Sequence, residues 1–194
     1  MKEKIIELRN QTGAGIVDCK KALTASSGNI EKAIEILRKK GQKIVAAKTQ
    51  REAKEGLIES YIHAGGKIGV LVEVFCETDF VARNEEFKEL AHNLAMHIAA
   101  QDPQYLRKED IPKDILDQER KIELERLKDS GKPKDILDKI VEGKLKKFFE
   151  ETCLLEQTYI KDESKKIRDL IEEKISKFEE NIKIGRFTKY QLGG

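Results

Sequence analysis

The chain has 194 residues, of which 39% are hydrophobic and 38% are charged, enough apolar side chains for a small module and one larger domain. Because 38 basic and 36 acidic residues leave a net charge of only +2, the composition argues against binding of nucleic acid or a membrane by charge alone. No apolar run could span a bilayer and the N-terminus lacks the apolar core of a signal peptide, so we expect a cytoplasmic protein.

The first forty residues predict three short helices. The first covers residues 3–10 and ends at Thr12-Gly13, because glycine tolerates the left-handed conformation that stops a helix. The second covers residues 16–25, and Asn29 is a good N-cap for a third that runs to about residue 40. The apolar positions expected to face inward in the second and third helices are Ile16, Cys19, Ala22, Leu23, Ile30, Ala33, Ile34 and Leu37.

Residues 41–55 are basic and polar, which is typical of a solvated helix extension or a linker rather than of a binding patch. This composition change predicts a boundary between two domains, residues 1–54 and residues 55–194. A β-hairpin follows, because residues 56–63 and 67–75 have strand composition and flank the turn Ala64-Gly65-Gly66.

Residues 76–84 connect the second strand of this hairpin to a helix over residues 84–101 with a continuous apolar stripe, which Asp102-Pro103 ends. Phe80 lies in the middle of the connection. Two interpretations of it are open from the residues alone. It is either the last apolar side chain to tuck under the sheet, or an exposed aromatic anchor for a partner.

The C-terminal half predicts helices joined by short links. Charged residues outnumber apolar ones in a helix from Ile111-Pro112 to about residue 129, so the region of about residues 105–130 is either a solvent-crossing arm or pairs with a neighbour. Ser130-Gly131-Lys132-Pro133 starts another helix, which ends near residue 152, and a last helix covers residues 167–178. A strand over residues 182–190 would complete a three-stranded antiparallel sheet, which gives an α+β fold.

The side chains that carry most catalysis do not form a recognisable pattern. Cysteines at positions 19, 76 and 153 are widely separated and indicate buried free thiols. His92 and His97 are five residues apart, whereas zinc ligands on one helical face prefer a spacing of four. We therefore predict no catalytic residue, no metal site and no cofactor.

Two long motifs carry a resemblance to a known family. They are Thr78-Asp79-Phe80-Val81 and Thr12-Gly13-Ala14-Gly15-Ile16-Val17-Asp18-Cys19-Lys20-Lys21-Ala22-Leu23, with further matches in Met96-His97-Ile98-Ala99-Ala100 and Ser130-Gly131-Lys132-Pro133-Lys134. Together they resemble the translation elongation factor Ts family across the whole chain. The three N-terminal helices also resemble a ubiquitin-associated type of domain.

The resemblance implies a guanine nucleotide exchange factor and not an enzyme. It would bind elongation factor Tu with GDP, disturb the Mg²⁺ and phosphate site, and promote GDP release during translation elongation. The residues implied to enter the GTPase are Thr78, Asp79, Phe80 and Val81, with Phe80 as a wedge and Asp79 as a polar anchor. The second contact would come from Gly13, Ala14, Gly15, Ile16, Val17 and Asp18 in the N-terminal bundle. Relatives often carry Met where this chain has Val17.

The resemblance also implies an oligomeric state. Long relatives carry the sheet-and-helix unit twice, whereas this chain has room for one, so it would be a short form that makes a homodimer and a 2:2 complex with elongation factor Tu. No direct nucleic-acid partner is expected. The alternative function is a ubiquitin-associated-like adaptor or dimerisation protein without exchange activity.

Overall fold

Three helices form the N-terminal part of the chain, in a computed structural model that describes residues 1–128 and 133–193. They are α1 (Lys2–Thr12), α2 (Ile16–Ala25) and α3 (Ile30–Lys48). Gly13 ends α1 in the left-handed conformation, at a φ of 65°, and the Asn29 side chain accepts the Lys32 N–H at 2.8 Å. The core of this bundle consists of Leu8, Cys19, Ala22, Leu23 and Ala33. The predicted three-helix bundle is confirmed.

Helix α3 is longer than predicted and runs to Lys48. Its last turns are rich in Ala and Lys, which are good helix formers. Gly41 lies inside this helix although glycine weakens helices. A Cβ at this position would lie 3.0 Å from the Ser176 hydroxyl oxygen, so the absence of a side chain permits a close approach to a later helix. The basic segment is therefore a helix extension up to Lys48 and an irregular linker after it.

The sheet has three strands, β1 (Glu55–Ile62), β2 (Ile68–Cys76) and, later in the chain, β5 (Lys183–Gln191), in the order β1-β2-β5. Around the hairpin turn the His63 N–H donates to the Ile68 carbonyl at 2.9 Å. The predicted antiparallel sheet and its returning C-terminal strand are confirmed. Gly56 is required in β1, because a Cβ there would lie 2.1 Å from the Val74 carbonyl oxygen.

Helices α4 (Asp79–Ala82) and α5 (Glu85–Gln101) follow β2. The apolar stripe of α5 is buried as predicted, through Phe87, Leu90, Ala91, Leu94, Ala95 and Ile98. The one-turn helix α4 was not predicted, because four residues are too short to show a helical period.

Helices α6 (Lys113–Arg126) and α7 (Lys134–Thr152) pack against each other, so the charged helix pairs with a neighbour. The predicted link Ser130-Gly131-Lys132 lies outside the described residues, while Pro133 is the N-cap of α7. Strands β3 (Thr158–Tyr159) and β4 (Asp162–Lys166) form a small antiparallel sheet that was not predicted beyond an extended link. Helix α8 (Ile167–Phe178) matches the prediction. Two short 3-10 helices, Lys108–Asp110 and Leu154–Glu156, complete the described elements.

The chain divides into two compact units. The first contains Met1–Leu57, Val74–Lys88 and Asp169–Gly185. The second contains Ile58–Glu73, Glu89–Arg168 and Arg186–Gly194. The boundary between residues 54 and 55 stays a prediction.

Candidate functional site

The connection between β2 and α5 presents an aromatic side chain to solvent. Phe80 is the second residue of α4 and is 80% exposed. The interpretation in which Phe80 tucks under the sheet is therefore wrong. Its neighbour Val81 is only 6% exposed and supplies the apolar anchor of this turn instead.

The N-terminal end of α4 is fixed by side chains. Thr78 is the N-cap, and its hydroxyl oxygen accepts the Val81 N–H at 3.4 Å. The same hydroxyl donates to one carboxylate oxygen of Glu180 at 2.6 Å. The second carboxylate oxygen of Glu180 accepts the backbone N–H groups of Glu77 and Thr78, each at 3.1 Å. Three hydrogen bonds therefore hold the two residues that precede α4.

The C-terminal end of α4 leads directly into α5. The N–H of the C-cap residue Arg83 donates to the Asp79 carbonyl at 3.1 Å, and Asn84 Oδ1 accepts the Glu86 N–H at 2.8 Å in the first turn of α5. Asp79 and Arg83 also form an exposed ion pair at 2.9 Å. Exposed pairs of this kind contribute little stability. The Asp79 side chain is 61% exposed and lies at the surface, next to Phe80 in sequence.

Cys76 ends β2 and is fully buried, and its thiol donates to the Thr78 carbonyl at 3.1 Å. Burial, with the charge of Glu180 as a smaller cause, raises the pKa of Cys76 to about 11. The thiol is therefore protonated at neutral pH and helps to close the loop. Cys19 and Cys153 are also buried and free, as predicted.

The connection between α1 and α2 forms a second exposed surface. Ile16 is 56% exposed and Val17 is 64% exposed, at the first two positions of α2. The prediction that Ile16 faces the bundle core is wrong, because the first turn of α2 points this side chain away from the cluster around Leu23. Val17 is exposed, as expected.

The backbone around this second surface is well defined. The Gly13 N–H donates to the Arg9 carbonyl at 2.8 Å, and Gly15 is the N-cap of α2. Ala14 packs against the bundle core, and Asp18 forms an ion pair with Lys40 at 2.6 Å. The surface around Phe80 and the surface of residues 13–18 both belong to the first compact unit.

The second compact unit has an exposed apolar face on its part of the sheet. Ile58 and Ile62 of β1 are 67% and 65% exposed, and Tyr190 of β5 is 71% exposed. Leu71 of β2 is 46% exposed, and Leu192 just after β5 is 76% exposed. Several exposed apolar side chains on one sheet are typical of interaction sites in soluble proteins.

Among residues 1–128 and 133–193 there is no group of three or more His, Cys, Asp or Glu side chains that could hold a metal ion. Within those residues, no helix is sufficiently long and apolar to cross a membrane.

The comparisons with known proteins decide the family. The family model described as Elongation factor TS matches residues 1–194. The chain is 57% identical over 189 residues to Elongation factor Ts of Thermotoga neapolitana, covering 97% of this chain and 95% of that protein. It is 55% identical over 187 residues to Elongation factor Ts of Thermosipho melanesiensis, covering 96% and 95% of the two chains. The chain belongs to the elongation factor Ts family.

Members of the elongation factor Ts family are nucleotide exchange factors for elongation factor Tu and are not enzymes. This chain matches the short bacterial form, since it also covers 95% of Elongation factor Ts of Thermodesulfovibrio yellowstonii at 55% identity over 191 residues. Membership in the elongation factor Ts family decides against the alternative of an adaptor without exchange activity.

Sequence reasoning missed Glu180. This residue lies 102 positions from Thr78 in a polar segment after α8, and acidic residues in such a segment usually face solvent. Its contact with the loop depends on the return of the chain from α8 to β5, which leaves no local signal in the sequence.

Proposed function

We propose that this chain promotes GDP release from elongation factor Tu by inserting Phe80 beside the Mg²⁺ and phosphate site of the GTPase. The observation that carries the proposal is the 80% exposure of Phe80 on a helical turn that is held at both ends. Removal of a large apolar ring from water is favourable, so this ring stabilises a complex when a partner buries it.

Each residue of the Thr78–Val81 motif has a separate role in this proposal. Thr78 caps α4, and Val81 anchors it in the protein's own core. Phe80 is the wedge, and Asp79 is a polar anchor for donors on the GTPase. Because Mg²⁺ bridges the phosphates to the GTPase, a small displacement of its surroundings weakens nucleotide binding.

An exchange factor must bind the nucleotide-free GTPase more tightly than the GDP-bound form, because only differential affinity shifts the equilibrium. Full burial of a Phe side chain is worth about 1.5–3 kcal/mol. Since 80% of Phe80 is available for burial, the ring can supply about 2 kcal/mol of this difference. The free energy is released only when the partner opens a pocket for the ring.

The second contact in the proposal comes from Gly13, Ala14, Gly15, Ile16, Val17 and Asp18. Ile16 and Val17 offer adjacent exposed apolar side chains, and the flanking glycines leave the backbone open to a partner. Two contacts on the GTPase would oppose its relaxation to the GDP-binding conformation. Residues 1–54 would act as the gripping domain, and residues 55–194 as the domain that carries the wedge.

The same proposal includes a homodimer that binds two molecules of elongation factor Tu. Its support is the exposed apolar face around Ile58, Ile62 and Tyr190, which a second copy of the chain would cover. A two-fold axis would bring the same apolar face of each copy together. The joined sheets would form one larger core.

The test is release of a fluorescent GDP analogue from elongation factor Tu, followed with wild type and Phe80→Ala at several concentrations of the factor. A loss of about 2 kcal/mol predicts a release rate at least about tenfold slower for Phe80→Ala. The matched control is Leu124→Ala, which removes an exposed apolar side chain on α6 and should leave the rate unchanged. An unchanged rate with folded Phe80→Ala would contradict the proposal.

A further inference from the structure

Helix α4 is too short to hold its own direction. It has four residues, whereas isolated helices shorter than about 12 residues are marginal in water. Its first N–H groups also lack partners within the helix. The direction in which Phe80 projects must therefore be set by contacts from outside α4.

Among these contacts, the polar ones made by Glu180 come from farthest along the sequence, 102 or 103 positions away. Its carboxylate accepts the N–H groups of Glu77 and Thr78 at 3.1 Å each, together with the Thr78 hydroxyl at 2.6 Å. The hydroxyl has one hydrogen, which it donates in the hydrogen bond to Glu180. A lone pair of the Thr78 oxygen is therefore free to accept the Val81 N–H and to cap α4.

The segment that carries Glu180 is itself fixed to the rest of the first compact unit. The Asn181 N–H donates to a carboxylate oxygen of Glu77 at 2.7 Å, so Glu77 and the 180–181 segment are joined in both directions. The Asn181 side chain is 1% exposed and donates to the Thr49 carbonyl at 3.4 Å and the Arg51 carbonyl at 2.5 Å. Hydrogen bonds of its neighbour Asn181 therefore hold the segment that carries Glu180 in place.

We propose that Glu180 is a positioning residue for nucleotide exchange, whose carboxylate holds the Thr78 end of α4 and so aims Phe80 at the GTPase. This inference rests on the proposed role of Phe80. A functional side chain must be held to within about 0.5 Å of its productive position by surrounding contacts. Without Glu180, the Val81 side chain and the bond from the Ala82 N–H to the Thr78 carbonyl would still hold α4, but the N–H groups of Glu77 and Thr78 would lose their side-chain acceptor.

The experiment is a double-mutant cycle on the full chain. The variants are Glu180→Ala, Phe80→Ala and the double variant, each assayed for release of a fluorescent GDP analogue from elongation factor Tu across the saturation curve. Glu179→Gln is the control, because this neighbouring carboxylate is exposed. Circular dichroism and thermal unfolding check that each variant is folded.

We expect Glu180→Ala to lower the maximal release rate by about fivefold, as the loss of about 1 kcal/mol of hydrogen bonding to the loop predicts. In the Phe80→Ala background the same change should lower the rate by less than about 1.5-fold, because Glu180 acts through the ring. Glu179→Gln should match the wild type. A purely structural role would lower the melting temperature without this dependence on Phe80.

Each other outcome has a defined meaning. If Phe80→Ala slows release and Glu180→Ala does not, the positioning role is overturned and the proposed function stands. If the two effects multiply in full, Glu180 acts independently of Phe80 and the positioning role is again overturned. If Phe80→Ala has no effect, the proposed role of Phe80 is overturned, and the positioning role of Glu180 is overturned with it. Should Glu180→Ala not fold, Glu180→Gln takes its place in the cycle, because its amide keeps the side-chain length and one acceptor oxygen.

Discussion

His97 gives a quantitative prediction about stability and pH. It is fully buried on α5, and burial lowers its pKa from the usual 6.5 to about 4. Its Nε2 lies 3.1 Å from Gln157 Oε1, and its Nδ1 accepts the Ile160 N–H at 3.4 Å. The amide of Gln157 donates to the carbonyls of Gln101 and Glu151, so its oxygen faces the imidazole. The neutral ring with hydrogen on Nε2 satisfies every partner.

A proton on Nδ1 would face the Ile160 N–H, so the folded protein resists protonation until about pH 4. The unfolded chain takes up this proton near pH 6.5. Between these values the unfolded state binds more protons, so stability falls as pH decreases and is fully retained above pH 6.5. At about 1.4 kcal/mol per pH unit, His97 accounts for about 3 kcal/mol of lost stability by pH 4.

The assay is urea unfolding of wild type and His97→Gln between pH 4 and pH 8. Glutamine does not titrate, so acid effects of the carboxylates are common to both proteins, and the difference between the curves isolates the imidazole. Wild type should lose stability more steeply than His97→Gln by about 1.4 kcal/mol per pH unit near pH 5 to 6. Parallel curves would refute the reasoning.

Three further predictions concern the surfaces and the thiols. Val17→Asp should weaken binding to elongation factor Tu in a titration without unfolding the bundle, because the Val17 side chain is 64% exposed, and affinity equal to that of wild type would contradict this. In analytical ultracentrifugation, wild type should have twice the 22.2 kDa mass of one chain, and Tyr190→Asp should have the mass of one chain. A monomeric wild type would exclude the dimer. Cys76, whose pKa is raised to about 11, should react with a disulfide reagent at pH 8 only after unfolding, and fast labelling of the native thiol would argue against the burial described.

The sequence predicted elements whose apolar spacing is long and regular. Helix α2 begins and ends at the predicted residues 16 and 25, because a glycine-rich break flanks it on each side. The strands of the main sheet were equally clear from their β-branched composition. Short elements without a period were missed, namely the four-residue α4 and strand β4, whose residues Asp162–Lys166 are all polar.

The candidate site was predictable only in part. The sequence alone did not decide whether Phe80 is buried or exposed, because an aromatic side chain after a strand is found both in protein cores and at interfaces with partners. Ile16 was assigned to the bundle core from helical spacing, but the first turn of α2 extends beyond that core. Glu180 had no local signal at all, since its role depends on a contact across 102 positions of sequence.

The central claim is that Phe80 acts on the Mg²⁺ site of elongation factor Tu, and its most direct test is the Mg²⁺ dependence of the Phe80→Ala defect. GDP release is measured with both forms of the factor, once with Mg²⁺ and once after chelation of Mg²⁺. We predict that Phe80→Ala is at least about tenfold slower than wild type with Mg²⁺ and within about twofold of it without the metal. A defect of the same size in both conditions would contradict the account.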